Sequence, residues 1–310
     1  MRLMELKQKH LLGIEHLSAD EIEYILQTAE SLEEISKRDI KKVPTLRGKT
    51  IVTLFLEPST RTKTSFELAA KRLSADTLSI SKDASSFKKG ESLKDAAKTL
   101  QAYRVDAIIL RHSASGAAEF LSKQTDASVI NAGDGCHEHP TQALLDAYTI
   151  KKKFGKINGL KIAIVGDILH SRVARSNIFC LTKMGAELSV VAPPTLLPVD
   201  VEKLPVKVAF GIEEVLEESD VIYLLRLQAE RASENHFPSI REYRRLFGLD
   251  ADKVKKLKPE AIVMHPGPIN RGVEISSTVA DLARSYIEEQ VTSGLAVRMA
   301  VLYLLVGGSS

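Results

Sequence analysis

The sequence predicts an α/β protein with two doubly wound parallel-sheet domains and an active-site cleft between them. Apolar runs of strand length alternate with segments of helical period in two successive series, which is typical of parallel strands joined by helices. Between the series, the residues Gly-Lys-Ile-Asn-Gly at 155–159 interrupt the pattern and predict a domain boundary. The length of 310 residues also fits two domains.

The first domain is predicted over residues 1–150. Its first helix begins at a capping box, Ser18 to Glu21, and places Ile22, Ile25 and Leu26 on one face. Strands are predicted over 51–56, 77–80, 107–110 and 128–131. Further helices are predicted after residue 62 and over about 92–103, 117–123 and 140–154, with loops over 81–90 and 132–139.

The second domain is predicted over residues 151–290. Its strands are expected over 161–165, 187–191, 221–225 and 261–264, and its helices over 171–184 and 239–247. Residues 276–305 have the pattern of one or two helices, with Gly294 as a candidate break. Residues 291–310 are expected to form a C-terminal helix that packs back on the first domain.

Bulk composition excludes several classes of protein. The chain has 43 Lys and Arg against 40 Asp and Glu, a formal net charge of +3, which is too balanced for nucleic-acid binding driven by bulk charge. Its two cysteines, Cys136 and Cys180, cannot build a disulfide framework, so a reducing cytoplasm is expected. No consecutive apolar run is long enough to predict a membrane span or a signal peptide. We therefore expect no nucleic-acid partner and no membrane partner.

The stretch from Glu57 to Thr62 joins the first predicted strand to its helix. Unpaired backbone N–H groups and the helix dipole favour an anion at such a position. Ser59, Thr60 and Thr62 add hydroxyl donors, and Arg61 adds a guanidinium group. The stretch predicts a phosphate site, with an ordinary Ser/Thr N-cap followed by a surface arginine as the alternative.

Other polar clusters also follow predicted strands, at the edge where parallel sheets bind ligands. These clusters are Arg111-His112, His137 to Gln142, Asp167 to Arg172, Arg226 with Gln228, and His265 to Arg271. Their shared position predicts a single cleft. They contain no serine–histidine–acid triad and no evident pair of acids, which favours transfer between two bound ligands through positioning and charge stabilisation.

Two cofactor hypotheses are disfavoured. Cys136, His137 and His139 suggest a metal, but no second Cys or His pair lies nearby, so no metal is predicted. Val165-Gly166-Asp167 follows a strand but lacks the Gly-x-Gly-x-x-Gly pattern of dinucleotide sites, so no nucleotide cofactor is predicted.

Several cationic side chains allow more than one interpretation. Arg172 and Arg175 open a helix where acidic residues are expected, which favours binding of a carboxylate or phosphate. Arg226 closes an apolar strand, where either a ligand carboxylate or an internal salt bridge would be its partner. The basic loop with Lys82, Lys88, Lys89 and Lys94 is by default a solvated face.

Taken together, these motifs resemble the carbamoyltransferases, and within them the branch that uses aspartate. The resemblance covers essentially the whole chain, and its segments are Ser59 to Thr62, Lys89 to Ser92, Arg111-His112, His139 to Gln142, Arg226 with Gln228, and His265 to Pro268. It implies an enzyme that transfers the carbamoyl group of carbamoyl phosphate to the amine of L-aspartate in pyrimidine biosynthesis. The products would be N-carbamoyl-L-aspartate and phosphate, and no cofactor would be needed.

The resemblance also implies roles for single residues. The residues that would bind the phosphate are Ser59, Thr60, Arg61, Thr62 and Arg111. Thr62, Arg111 and His139 would polarise the carbonyl oxygen. The carbamoyl amide would contact Gln142 and the backbone carbonyls of Pro266 and Gly267, and the aspartate carboxylates would contact Arg172, Arg226 and Gln228.

Subunit contacts are implied in the same way. Ser85 and Lys89 match a loop that enters the active site of the neighbouring subunit, which implies a homotrimer with shared sites. Glu57 and Arg231 match positions that form ion pairs between domains. A regulatory chain or a dihydroorotase is a further candidate partner.

Two rival functions stay open. The ornithine branch carries His-Cys-Leu-Pro where this chain has His265-Pro266-Gly267-Pro268, and the arginines of the second half favour a dicarboxylate over a cationic amino acid. A non-catalytic homologue acting as a scaffold would be expected to have lost its anion-binding residues, and every such position here keeps a chemically suitable side chain.

Overall fold

The structure, a computed structural model, describes residues 6–82, 90–227 and 239–307. Within them the chain forms two parallel sheets, one of four strands and one of five. The predicted class, α/β with two doubly wound parallel sheets, is confirmed. The chain divides into two compact units: unit 1 comprises Met1–Tyr148 with Thr292–Ser310, and unit 2 comprises Thr149–Val291.

Unit 1 alternates strands and helices along the chain. Its elements before residue 148 are α1 (Ala19–Lys37), β1 (Thr50–Phe55), α2 (Thr60–Arg72), β2 (Asp76–Ser81), α3 (Leu93–Ala102), β3 (Ala107–His112), α4 (Ala117–Ser122), β4 (Ser128–Asp134) and the start of α5 (Pro140–Phe154). Helix α1 begins with the predicted capping box, in which the Ser18 hydroxyl accepts from the Glu21 backbone N–H. Strand β4 continues to Asp134, three residues beyond the predicted strand, so part of the expected loop is in the sheet.

The strand order in unit 1 is β2-β1-β3-β4. The chain starts at β1, moves outward to β2, and then returns to the other side of β1 with β3. The connections therefore run in opposite directions from β1 and β3, which makes their carboxyl ends a topological switch point. One face of this sheet packs on an apolar cluster that includes Val52, Leu54, Ile108 and Leu110.

From Thr292 onward the chain returns to unit 1, as the larger part of α10 (Ile287–Leu302) followed by a π-helical turn over Tyr303–Gly307. The Ser128 hydroxyl donates to the Leu305 carbonyl across 3.2 Å, which fixes this turn to the start of β4. Gly294 lies inside α10, so the candidate break is wrong. A glycine within a well-packed helix costs about 1 kcal/mol relative to alanine but does not by itself end the helix.

The same segment, Ile287–Gly307, is long and apolar enough to cross a membrane by length and composition alone. However, 67% of its most apolar window is buried inside the protein, as expected for the core helix of a soluble protein. No membrane span is predicted from uninterrupted apolar runs, because Glu288, Glu289 and Arg298 interrupt the apolar residues of this helix.

Unit 2 repeats the alternation. Its elements are the end of α5, β5 (Lys161–Val165), α6 (Arg172–Lys183), β6 (Glu187–Val191), β7 (Val206–Ala209), β8 (Val221–Leu224), α7 (Ile240–Phe247), α8 (Ala251–Val254), β9 (Ile262–Met264), α9 (Ser277–Ala280) and the start of α10. The strand order is β7-β6-β5-β8-β9, so the second switch point lies between β5 and β8. Strand β7 was not predicted, because it has only four residues, lies at the sheet edge and is buried mainly at Ala209.

Candidate active site

In unit 1, the residues predicted to bind an anion lie at the switch point. The segment from Ser59 to Thr62 directly follows β1, and Arg111 is the fifth residue of the neighbouring strand β3. Phe55 and Arg111 are register partners, and the Leu56 backbone N–H donates to the Arg111 carbonyl across 2.9 Å. The members of the unit-1 cluster are Ser59, Thr60, Arg61, Thr62, Arg111, His139 and Gln142. All seven lie at or beyond the carboxyl ends of β1, β3 and β4, the edge where such sheets bind ligands.

The start of α2 differs from an ordinary capped helix. Ser59 is its N-cap, but among the described residues its hydroxyl makes no capping hydrogen bond to the helix. Ser18, Ser92 and Ser171 do cap their helices in this way. Thr62 is buried whereas Arg61 is exposed, so a donor inside the turn is accompanied by a cation at its rim. This arrangement favours the anion site over the simple N-cap.

Contacts with Ala132 and Glu57 orient the Arg111 side chain. Its Nη1 donates to the Ala132 carbonyl across 3.0 Å, and its Nη2 lies 3.2 Å from the Glu57 carboxylate. The Arg111 side chain is only 12% exposed and that of Glu57 only 15%. Contacts on both Nη atoms set the plane of the guanidinium, and a planar fork of this kind matches the geometry of a phosphate.

His139 and Gln142 lie at the same edge of the unit-1 sheet, at the start of α5, and both are buried. The Gln142 Nε2 donates to Asp146 Oδ1 across 3.0 Å. A carboxylate oxygen can only accept, so this bond sets which way the Gln142 amide faces. The Gln142 Oε1 is then the atom that remains to accept from a ligand N–H.

Arg298, on α10, supports this region and was not singled out from the sequence. Its Nη1 donates to the Ser65 hydroxyl across 2.8 Å, and its guanidinium lies 5.2 Å from the centre of the Phe66 ring. Burial lowers the pKa of Arg298 to about 10, and the charge of Asp146 opposes that shift. Arg298 therefore stays charged at neutral pH and compensates a carboxylate that is fully buried.

In unit 2, the predicted residues again lie at the switch point. Arg172 is the first residue of α6, which follows β5, and Arg226 comes two residues after the end of β8. Arg172 is 7% exposed and Arg226 is half-buried. The loop that carries Pro266 and Gly267 follows β9, the next strand in the sheet. The unit-2 cluster is defined here as Arg172, Arg226, Pro266 and Gly267.

Gly166 is the residue at which β5 turns toward this cluster. Its φ is +130°, and a Cβ atom there would lie 3.0 Å from the Leu225 Cβ and 3.2 Å from the Tyr243 hydroxyl. Gly166→Ala is therefore expected to lower the free energy of unfolding by about 1–3 kcal/mol.

The matched control for that variant is Gly159→Ala. Gly159 has a φ of +78°, but nothing lies within 4 Å of its added Cβ. Thermal unfolding of both variants separates backbone strain from crowding. An equal loss in the two would contradict the expected crowding at the end of β5.

Some predicted site residues lie outside the described residues: Ser85, Lys89, Gln228 and Arg231. In the part of the chain that the structure describes, no group of three or more His, Cys, Asp or Glu side chains is arranged to hold a metal ion. His137 instead has its Nδ1 within 3.2 Å of the Asp134 carboxylate.

Comparisons with known proteins agree with this geometry. Residues 9–152 match the carbamoyl-P binding domain of the aspartate/ornithine carbamoyltransferases, and residues 158–305 match their Asp/Orn binding domain. The chain belongs to the aspartate/ornithine carbamoyltransferase family. The resemblance inferred from the motifs is thereby confirmed.

Within the family, the chain is similar to members of the aspartate branch. It is 60% identical over 307 residues to the aspartate carbamoyltransferase catalytic subunit of Moorella thermoacetica, covering 99% of this chain and 100% of the relative. A structure of Trypanosoma cruzi aspartate transcarbamoylase in complex with carbamoyl phosphate and aspartate has a TM-score of 0.87 and 31% identity, covering 96% of this chain and 97% of that one.

The ornithine branch has the same fold. Ornithine carbamoyltransferase from Pyrococcus furiosus has a TM-score of 0.89 and 32% identity, and the alignment covers 99% of this chain and 100% of that chain. Backbone similarity therefore does not separate the two branches. Identity to these two solved structures does not separate the branches either, since it is 31% and 32%, whereas the chain is 60% identical to the Moorella aspartate carbamoyltransferase catalytic subunit.

Proposed function

We infer that this chain is an aspartate carbamoyltransferase, a soluble enzyme of pyrimidine biosynthesis that binds carbamoyl phosphate and aspartate. It transfers the carbamoyl group of carbamoyl phosphate to the amine of L-aspartate, giving N-carbamoyl-L-aspartate and phosphate. The observation that carries this function is the placement of buried or half-buried arginines at the switch points of both sheets: Arg111 in unit 1, and Arg172 and Arg226 in unit 2. One substrate is a phosphate and the other a dicarboxylate, and each requires such cations.

We propose that the family roles apply residue by residue. Residues 1–150 form the carbamoyl phosphate-binding domain, and residues 151–290 form the aspartate-binding domain. The phosphate is bound by Ser59, Thr60, Arg61, Thr62 and Arg111, and Lys89 is a further catalytic residue. Arg172, Arg226 and Gln228 receive the two carboxylates. The residues of this set that the structure describes lie at the carboxyl ends of parallel strands, and this position supports the assignment.

The reaction then proceeds by positioning and charge stabilisation. The aspartate amine attacks the carbonyl carbon, a C–N bond forms, and the C–O bond to the phosphate breaks. Thr62, Arg111 and His139 donate to the carbonyl oxygen as negative charge develops on it. The amine loses a proton, which the leaving phosphate accepts, so no separate base is needed.

The carbamoyl amide is a hydrogen-bond donor and requires acceptors. Gln142 Oε1 is one, because its Nε2 is committed to Asp146. The carbonyls of Pro266 and Gly267 are the others. Carbonyl acceptors discriminate the amide of carbamoyl phosphate from the methyl group of acetyl phosphate, which cannot donate.

Gln142→Leu is expected to lower kcat/KM for carbamoyl phosphate by about 10- to 100-fold, since one acceptor is lost and Asp146 loses a buried donor. Steady-state kinetics measures this loss. The control is Gln124→Leu, a glutamine in the same unit outside the cluster. An unchanged ratio of activity with carbamoyl phosphate over acetyl phosphate would contradict the role of Gln142.

The proposed reaction is tested by incubating the purified protein with carbamoyl phosphate and either aspartate or ornithine. Carbamoyl aspartate is the expected product, with no citrulline. Citrulline formation would assign the chain to the ornithine branch. Tight binding of a bisubstrate phosphonate with two carboxylates, together with no turnover, would instead indicate the scaffold function.

We further propose a homotrimer with shared active sites, in which Ser85 and Lys89 of one subunit serve the next. In support, β2 leads directly into residues 83–89, lies at the edge of its sheet, and exposes 49% of Leu78. Mixing Lys89→Ala with Arg111→Ala subunits tests this proposal. If the active sites are shared between subunits, mixed trimers regain activity. If each site belongs to one subunit, the mixture stays inactive.

Location and further partners are also proposals. A cytoplasmic location fits the two free cysteines, of which Cys136 is exposed. A regulatory chain or a dihydroorotase remains a candidate partner. A mass measurement of the assembly in a native extract tests for both, and a mass equal to three chains would contradict either one.

A further inference from the structure

The loop after β9 contains the Pro266 and Gly267 carbonyls to which the proposed function assigns the carbamoyl amide. These carbonyl groups can select an amide over a group that cannot donate only if they point in a fixed direction. Gly267 has a φ of +64°, a conformation that glycine adopts at little cost, so the residue itself does not hold the loop in one shape. Another group must therefore hold it.

His265 makes the relevant contact. Its Nδ1 accepts a hydrogen bond from the Gly267 backbone N–H across 2.8 Å. That N–H and the Pro266 carbonyl belong to one planar trans peptide unit, in which they point in opposite directions. Fixing the Gly267 N–H toward His265 therefore fixes the Pro266 carbonyl away from it.

The contact requires one form of the ring. Because Nδ1 accepts, the ring is neutral and its proton is on Nε2. Nε2 lies 3.2 Å from Glu274 Oε1, and both side chains are at most 1% exposed. A buried carboxylate beside Nε2 selects this tautomer, as carboxylate partners do for other functional histidines.

Glu274 also holds the far end of the loop. Its Oε1 accepts from the Asn270 backbone N–H across 2.5 Å, and the Asn270 Nδ2 donates to the Leu227 carbonyl across 3.1 Å. Leu227 directly follows Arg226 in the chain. The Glu274 carboxylate thus connects both ends of the loop after β9 to the segment that contains Arg226, a residue proposed to bind aspartate.

We propose that His265 and Glu274 are positioning residues, which orient the Pro266–Gly267 peptide so that its carbonyl accepts from the carbamoyl amide. This inference rests on the proposed function. Neither side chain touches the substrate: His265 acts through the peptide, and Glu274 acts through the His265 tautomer.

Two substitutions at His265 separate this role from a merely structural ion pair. His265→Asn places an oxygen near the Nδ1 position, where it can accept from Gly267, but it does not reach Glu274. His265→Gln places its amide near Nε2, where it can donate to Glu274, but it leaves the Gly267 N–H without its acceptor.

We expect kcat in His265→Gln to fall by about 10²-fold, the usual cost of a small misplacement of a reacting group, and kcat in His265→Asn to fall by less than about tenfold. Thermal unfolding is measured in parallel. If activity follows the opposite order, or simply tracks the unfolding temperature, the positioning role is overturned.

A measurement on the unmodified protein does not depend on these variants folding. The protein is labelled with 15N-histidine, and the His265 signals are assigned through the Met264–His265 peptide. The 15N chemical shifts of the His265 ring nitrogens then report its tautomer directly. A neutral ring with its proton on Nε2 supports the proposal, and a ring protonated at Nδ1 overturns it. If wild-type protein forms no carbamoyl aspartate, the proposed function fails, while the ring shifts still test the geometry.

Discussion

Replacing Arg111 by alanine is expected to lower kcat/KM for carbamoyl phosphate by about 10³-fold or more, because this guanidinium is assigned both to the phosphate and to the developing oxyanion. Removing one preorganised oxyanion donor alone costs about 10²–10³-fold. The variant also leaves Glu57, only 15% exposed, without the cation 3.2 Å away. A small loss of stability should therefore accompany the loss of activity.

Arg111→Lys distinguishes charge from geometry. It keeps the charge but loses the fork that contacts Ala132 and Glu57, so an intermediate loss is expected. Arg47→Ala is the matched control, since Arg47 is an exposed arginine of the same unit. Steady-state kinetics at varied carbamoyl phosphate gives the comparison. Activity of Arg111→Ala within tenfold of the wild type would contradict the phosphate assignment.

The second large effect is expected at Arg172. Arg172→Gln should lower kcat/KM for aspartate by about 10²–10³-fold, because truncating a buried charged partner of a carboxylate costs about 2–5 kcal/mol. The dissociation constant of carbamoyl phosphate should change little, since that ligand is assigned to unit 1. Isothermal titration with carbamoyl phosphate, alongside kinetics at varied aspartate, measures both quantities.

Arg175→Gln is the control for that substitution. It lies one turn further along α6 and is exposed, with its guanidinium 5.4 Å from the centre of the Phe179 ring. Its loss should leave aspartate kinetics nearly unchanged. Equal effects of the two substitutions would indicate a general role for positive charge on α6 rather than a specific carboxylate contact.

The sequence was most informative where local chemistry and topology coincide. The segment from Ser59 to Thr62 combines a strand end, a helix start and four polar side chains, so its place at the sheet edge could be predicted without coordinates. Arg172 and Arg226 were recognisable for a similar reason, since Arg172 stands at a helix start where acidic residues are expected and Arg226 closes an apolar strand.

Supporting residues could not be found in this way. Asp146 and Arg298 are separated by about half the chain and interact only because α10 returns to unit 1. Glu274 acquires its role through the fold of the loop after β9, and nothing in its neighbours along the chain indicates a buried partner. Strand β7 was missed because edge strands of four residues carry too little apolar pattern.

The discontinuity of unit 1 has a consequence for protein synthesis. A ribosome that has finished Met1–Tyr148 must translate all of Thr149–Val291 before the final part of unit 1 can emerge. At about 5–20 residues per second, that interval is on the order of ten seconds. Arg298 arrives only afterwards, although it packs against Ser65 and Phe66 of α2, the helix that begins at the proposed phosphate site. Nascent unit 1 therefore lacks the contacts that Arg298 makes with α2 until synthesis of the chain is nearly complete.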